Sequence, residues 1–238
     1  MGWGVEGLSR LRELLSGGPV LQVALDYTRL EDALRLASMI SMFKSEPLVI
    51  EAGTPLVKSE GVRAVSLLSS ILSPTPIVAD LKIADTGALE ARIAIKAGAS
   101  AVTVLGCAGY ETVVEAVAEA HRLGGLVVAD MLGLNDPLER VRELEKAGVD
   151  IVEIHVGIDV QRRLGVTVDA MARVVEKVKA LYSGFVAVAG GLNERSVPLM
   201  VRSGADIIVV GGAITRSKDP LSSVQRILAA IRRESGGR

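Results

Sequence analysis

Eight short runs rich in Val and Ile recur along the chain, at Leu21–Leu25, Leu48–Glu51, Ile77–Leu81, Ala101–Leu105, Leu126–Ala129, Ile151–His155, Phe185–Ala189 and Ile207–Val210. Runs this short and this apolar read as strands buried on both faces, as a parallel sheet requires. Between them lie segments of helical period, near 31–43, 56–72, 87–97, 111–122, 137–147, 161–181, 194–203 and 220–234. Several end in a small residue and glycine (Ala97-Gly98, Ala147-Gly148, Ser203-Gly204), where a left-handed helix stop is expected. Eight such alternations without a long linker predict one α/β domain over 1–238, a single (β/α)8 TIM barrel. A doubly wound open sheet fits less well. Its first strand-to-helix turn would be Leu25-Asp26-Tyr27-Thr28, which lacks the glycine-rich dinucleotide fingerprint.

Residues 1–18 stand outside the repeat as a helical extension. Val5, Leu8, Leu11, Leu14 and Leu15 mark one apolar face, and Gly17-Gly18-Pro19 breaks it. The extension lacks the basic start and apolar run of a signal peptide. No apolar stretch reaches the roughly 18 residues a membrane span needs. These features predict a cytoplasmic protein with no membrane partner. Charge is balanced, with 27 Lys+Arg against 28 Asp+Glu, and aromatics make up only 3%. A nucleic-acid partner is therefore not expected, since basic stripes and stacking rings are both missing. Cys107 is the one cysteine, which rules out an internal disulfide framework.

Barrels of this kind carry their active sites at the carboxyl ends of the strands. Ionisable residues gather at those ends: Asp26 after the first run, Glu51 in the second, Asp80 and Lys82 in the third, His155 in the sixth. They come from distant parts of the chain, yet barrel closure brings them to one rim. Asp80 and Lys82 are two apart and so face the same side of a strand, with Val78 below them. An acid and an amine facing a barrel interior cost several kcal/mol of desolvation (on the order of 3–5) unless paired or put to use. The plain alternative is an ion pair that closes the barrel mouth. Glu51 beside Asp80 makes an all-oxygen pair suited to Mg²⁺, with Mn²⁺ as the substitute; otherwise Glu51 partners Lys82. His155 at a strand end suits general acid/base work. Its neighbour Glu153 shares the inward face, with a role left open, and His121 near a helix C-terminus reads as a surface residue. Gly190-Gly191 and Gly211-Gly212 end the last two runs, where many barrels bind phosphate through backbone amides.

With these residues in place, the chain resembles the orotidine 5′-monophosphate decarboxylase superfamily, and within it the 3-hexulose-6-phosphate synthase branch. The likeness runs from about Leu21 to Pro220. It rests on Leu21-Gln22-Val23-Ala24-Leu25-Asp26, Ile50-Glu51-Ala52-Gly53-Thr54-Pro55, Asp80-x-Lys82-x-x-Asp85, His155-Val156-Gly157-Ile158-Asp159 and Val188-Ala189-Gly190-Gly191. Orotidine decarboxylases have lysine where Glu51 stands. The related 3-keto-L-gulonate-6-phosphate decarboxylases carry arginine directly after the histidine, where this chain has Val156. Ribulose-phosphate 3-epimerases bind a metal through two histidines and two aspartates, which His121 and His155 match poorly.

The resemblance implies reversible aldol chemistry between D-ribulose 5-phosphate plus formaldehyde and D-arabino-hex-3-ulose 6-phosphate. It implies Glu51 and Asp80 as Mg²⁺ ligands, His155 as the base, Lys82 as the cation near the developing oxyanion, and Asp26 as a residue binding substrate hydroxyls and helping to set the lysine's position. It further implies a homodimer in which Asp85 reaches into the partner's site. Gly190, Gly191, Gly211 and Gly212 would hold the phosphate; Arg216, outside the matched motifs, follows Thr215 and would add charge there. A 3-keto-L-gulonate-6-phosphate decarboxylase or an orotidine 5′-monophosphate decarboxylase-like activity is the alternative. A non-catalytic sugar-phosphate sensor is the alternative of another class.

Overall fold

The structure, a computed structural model, describes residues 3–134, 136–165 and 167–236. Eight parallel strands close into a barrel in sequence order: β1 (Val20–Leu25), β2 (Leu48–Ala52), β3 (Ile77–Ile83), β4 (Ala101–Leu105), β5 (Leu126–Asp130), β6 (Ile151–His155), β7 (Phe185–Ala189) and β8 (Ile207–Val210). β1 pairs with both β2 and β8, which completes the ring. The expected (β/α)8 architecture is therefore the observed one. The helices are α1 (Trp3–Gly17), α2 (Leu30–Ile40), α3 (Thr54–Glu60), α4 (Arg63–Leu72), α5 (Gly87–Lys96), α6 (Tyr110–Arg122), α7 (Pro137–Lys146), α8 (Ile158–Leu164), α9 (Val168–Leu181), α10 (Val197–Arg202), α11 (Gly212–Thr215) and α12 (Pro220–Ser235).

Most boundaries shift by a few residues, and three departures from the sequence pattern shape the site or the helix layer. The segments 56–72 and 161–181 each become two helices. Gly61 at φ 66° ends α3 and Gly165 at φ 61° ends α8, a conformation that carries the chain out of a right-handed helix. β5 runs one residue past Ala129, which delivers Asp130 to the rim. Gly98, Gly148 and Gly204 take positive φ, as helix stops should.

Alternation along each strand separates two apolar layers. Leu21, Val23, Leu25, Ile50, Ile77, Val102, Val127, Val152 and Val188 face outward into the ring of helices. Val20, Val49, Val78, Ala101, Leu126, Ile151 and Ile207 belong to a second buried cluster inside the barrel. Leu11, Leu14 and Leu15 of α1 join that inner cluster, so the extension closes the mouth from which the strands begin. Arg12 adds a contact to Asp150 at 3.8 Å, and Asp150 also accepts from the Val127 N–H at 2.9 Å. The side chains of Val5 and Leu8, with Met1 and Gly2, lie outside the described residues. His121 Nε2 meets Asp150 Oδ2 at 2.8 Å on the surface, as expected of a peripheral histidine. Among the described residues no helix is long and apolar enough to cross a membrane.

Candidate active site

Above the apolar inner layers, the same inward-facing positions turn polar. Val78 is followed two residues later by Asp80, Val128 by Asp130, and Ile151 by Glu153 and then His155. Asp80, Glu153 and His155 open onto a cavity of about 470 Å³ at the carboxyl ends of the strands, with Asp130 buried behind them. Its walls include Asp26, Glu51, Asp80, Lys82, Glu153 and His155, with Gly190, Gly191, Gly211, Gly212 and Arg216 along one side. Every site residue expected from sequence is there except Asp85. Asp85 is exposed, accepts from the Thr86 N–H at 2.8 Å and does not line the cavity of its own chain.

Lys82 reaches the site by an irregular route. Ala79 pairs with Val102 and Ile83 with Val104, so β3 carries two more residues than β4 between those points. The surplus forms a bulge in which Lys82 adopts φ 49°, a left-handed conformation. For a side chain such as lysine this costs on the order of 1–3 kcal/mol, and the surrounding bonds must hold it. Regular alternation therefore leads to the right outcome for Asp80 and Lys82 by the wrong path. They share a face through a bulge rather than through a flat strand.

The Lys82 amine sits between two carboxylates, with Nζ 3.0 Å from Asp80 Oδ1 and 2.5 Å from Asp130 Oδ2. Burial alone would push the lysine down. Asp80 and Asp130 outweigh that effect and hold it above its ordinary value, so it stays an ammonium at neutral pH. The bonds that fix the Lys82 amine thus come from Asp80 and Asp130; none runs to Asp26 among the described contacts. Asp26 instead fits between two backbone segments that only glycine permits. A Cβ on Gly53 would lie 2.2 Å from its Oδ1, and one on Gly211 would lie 2.9 Å from its Oδ2.

Asp130 is the functional residue that the strand pattern passes over. It is fully buried, and His155 Nδ1 lies 3.0 Å from its Oδ2 and 3.2 Å from its Oδ1. Leu132 N–H donates to Oδ1 at 2.9 Å. Burial works against ionising Asp130, but the bonds from His155 and Lys82 prevail and lower its pKa. An ionised carboxylate only accepts, so Nδ1 is the donor in this contact and Nε2 is the nitrogen left over for other partners. Its spacing, two residues after the inward-facing Val128, is the one sequence signal for Asp130; its register with Glu153 on β6 is visible only in the structure.

The second missed residue is Gln22, whose Nε2 donates to Glu51 Oε2 at 2.6 Å. Glu51 is thus held by Gln22, whereas Lys82 pairs with Asp80 and Asp130. Thr54 donates to Asp80 Oδ2 through its backbone N–H at 3.2 Å and through its hydroxyl. Glu153 faces inward as alternation requires, with Oε1 3.4 Å from His155 Nδ1.

Two stretches of the wall differ in charge balance, and the difference bears on metal binding. Asp130, Glu153 and His155 bring donor atoms within 4.8 Å of one another, but both Asp130 oxygens already serve Lys82, His155 and Leu132. On the other stretch, burial raises Glu51 well above its ordinary range, and repulsion from Asp80 and then Asp26 adds to the rise. Asp26 is itself raised, by burial and then by Asp80. Crowded oxygen donors with too little positive charge among them are the chemistry a hard divalent cation relieves. By donor chemistry the Glu51–Asp80 side fits such an ion, which would share Asp80 with Lys82, Thr103 and Thr54 and share Glu51 with Gln22.

Gly190 (φ 114°) and Gly191 (φ 63°) form the end of β7 that faces the cavity. A Cβ on either would strike the Gln161 side chain at 2.5 or 2.4 Å. Arg216 lies over Gly212, where a Cβ would meet its guanidinium at 2.2 Å. Glycine backbone, the Gln161 amide and one guanidinium therefore border this side, a composition suited to a phosphate.

Known proteins share this architecture and much of its sequence. Residues 19–227 match the model of the orotidine 5′-phosphate decarboxylase/HUMPS family. A 3-hexulose-6-phosphate synthase of Mycobacterium gastri is 38% identical over 213 residues, covering 89% of this chain and 99% of that protein. A crystal structure of a 3-hexulose-6-phosphate synthase superposes with a TM-score of 0.83 at 36% identity, covering 89% of this chain and 99% of the other. The 3-keto-L-gulonate-6-phosphate decarboxylase of Streptococcus mutans, in a ligand-bound crystal structure, superposes with a TM-score of 0.83 at 26% identity, covering 90% and 98%. The helix α1 precedes the matched segment. The chain belongs to the orotidine 5′-phosphate decarboxylase/HUMPS family, as an enzyme akin to its 3-hexulose-6-phosphate synthases.

Proposed function

We propose that the chain is a Mg²⁺-dependent aldolase that interconverts D-ribulose 5-phosphate plus formaldehyde with D-arabino-hex-3-ulose 6-phosphate. The observation that carries this reading is the Lys82–Asp130–His155 chain. An ammonium and an imidazole share one buried carboxylate, and the imidazole's other nitrogen is left for substrate. That arrangement suits removing a proton next to a carbonyl and stabilising the charge that follows. Similarity to 3-hexulose-6-phosphate synthases over nearly the full length of both chains supports the same choice.

In the synthetic direction His155 Nε2 takes a proton from C1 of ribulose 5-phosphate, and Asp130 stabilises the imidazolium through Nδ1. The electron pair left behind forms an enediolate, whose oxygen charge faces Lys82. C1 then attacks the carbon of formaldehyde, and the new alkoxide recovers a proton from the imidazolium. Cleavage runs the same steps backwards. Asp26 binds sugar hydroxyls, and Gly190, Gly191, Gly211 and Gly212 receive the phosphate with help from Arg216. Glu51 and Asp80 would hold Mg²⁺, or Mn²⁺ in its place, and the ion when bound supplies Lewis-acid stabilisation of negative charge on substrate oxygens.

A homodimer completes the proposal. Asp85 sits at the rim but outside the cavity, next to α5, where Leu89 and Ile93 are 52% and 41% exposed on one face. Apolar residues four apart beside an unused carboxylate suit a surface that a second copy covers, delivering Asp85 to the neighbouring site.

Formaldehyde release from the hexulose phosphate, measured with and without EDTA, tests the reaction and the metal together. Turnover that is abolished by chelator and restored by Mg²⁺ is expected; turnover indifferent to EDTA would remove the metal from the proposal. CO₂ release from 3-keto-L-gulonate 6-phosphate as the dominant activity would transfer the chain to the decarboxylase branch.

A further inference from the structure

Two surplus residues on β3 leave the Lys82 backbone out of step with its neighbour strand. Its N–H donates instead to a side chain, the Thr103 hydroxyl on β4, at 2.8 Å. That same hydroxyl donates to Asp80 Oδ1 at 2.7 Å. Asp80 Oδ1 also accepts from the Lys82 ammonium at 3.0 Å. The bonds close a ring from the Lys82 amide through Thr103 and Asp80 back to the Lys82 amine.

We propose that Thr103 is a positioning residue for the aldol reaction, with its hydroxyl setting both the backbone that carries Lys82 and the carboxylate that receives its amine. A hydroxyl has one proton to give. Here the proton goes to the carboxylate and a lone pair accepts the amide, so the bonding has a single sense. Thr103 is 2% exposed, which leaves water little access as a substitute. Its branched Cβ restricts χ1, so the hydroxyl is pre-aimed. Thr103 does not line the cavity and acts only through Asp80 and Lys82. The left-handed φ of Lys82 thus has a specific restraint, and valine, of the same shape, cannot supply it.

The kinetic part of the test rests on the aldolase reading, so a structural measurement accompanies it. Thr103→Val should lower kcat for aldol cleavage about 10- to 100-fold while KM for the sugar phosphate stays within about 2-fold, because the phosphate side is built from β7 and β8. Thr103→Ser, which restores the hydroxyl, should return kcat to within about 3-fold of the parent. Crystal structures of the two variants should show Lys82 leaving its left-handed conformation in the valine chain and keeping it in the serine chain. If the valine chain does not fold, Thr103→Ala is read in the same assays with the same expectations. Unchanged kcat in the chain lacking the hydroxyl would overturn the proposal. So would serine as impaired as valine, or a lowered melting temperature with full turnover per folded molecule. A parent enzyme with no aldol activity would instead refute the assigned reaction, while the crystal structures would still judge Thr103.

Discussion

The two mouths of this barrel are built from the same strands and share almost nothing chemically. Where the strands begin, the interior is Val, Leu, Ile and Ala, sealed by Leu11, Leu14 and Leu15 of α1. Where they end, Asp26, Glu51, Asp80, Asp130 and Glu153 surround Lys82 and His155. On β6 the change from Ile151 to His155 takes four residues, about 13 Å at roughly 3.3 Å per residue. One end stores stability in apolar burial. The other stores unfavourable contacts: crowded carboxylates and a lysine backbone in the left-handed region. The sealed end provides the stability that offsets them.

If that division is real, substitutions at the two ends should fail in different assays. The largest effect belongs to the chemical end. His155→Ala should reduce kcat by about 10²- to 10⁴-fold, the usual share of a general base, while the melting temperature stays near the parent's. Stopped-assay turnover beside a thermal melt decides it, and a large loss of stability would break the division. Next comes Leu11→Ala at the sealed end. Leu11 is 1% exposed, and truncating such a residue costs about 2–5 kcal/mol. Denaturant unfolding should show that loss, with kcat at 25 °C unchanged; reduced turnover in the folded protein would mean that the plug reaches the site. A smaller effect is expected for Arg216→Ala, which should raise KM about 3- to 10-fold by weakening phosphate contact at an exposed guanidinium, with kcat preserved.

The same contrast explains what could be read from sequence. The sealed end and the sheet were legible because apolar burial repeats: eight Val/Ile runs can hardly be anything but strands, and the ring they form follows from short connections. Asp26, Glu51, Asp80, Lys82 and His155 were legible because an ionisable residue beside such a run is conspicuous. Asp130 escaped because Ala129 looks like the end of its run, and only pairing with Glu153 shows that the strand continues. Gln22 escaped because its partner Glu51 is 29 residues away. Thr103 and the bulge were illegible for a deeper reason. A register shift is a property of two strands together, and neither sequence carries it alone. Asp85 remains the reverse case, a residue that a motif singles out and that its own chain's cavity does not use.

The finest test of the division is the pH dependence of stability. Burial raises Glu153 well above its ordinary value, followed by repulsion from Asp130 and from Glu51; Glu51 is raised in the same way. Between about 4.3, the value in the unfolded chain, and the raised folded value, the native state holds a proton that the unfolded chain has lost. Stability therefore falls as pH rises through that window. Asp130 runs the other way. Its pKa is lowered, so its contribution is present above about 3.9 and is lost only as pH falls through its folded value, below the window. Glu119, a largely buried helix carboxylate held down to about 2 by Arg122 and Arg92, acts in that same acid region. Glu153→Gln keeps the shape and removes the charge. In EDTA the variant should be more stable than the parent at pH 7.5, by on the order of 1 kcal/mol, with the gap closing toward pH 5. Added Mg²⁺ should stabilise parent and variant alike, since Glu153 belongs to the wall where Lys82 already supplies positive charge. A variant less stable than the parent at pH 7.5 would mean that Glu153 is ionised and stabilising in the native barrel, and that the open mouth is better balanced than its crowded carboxylates imply.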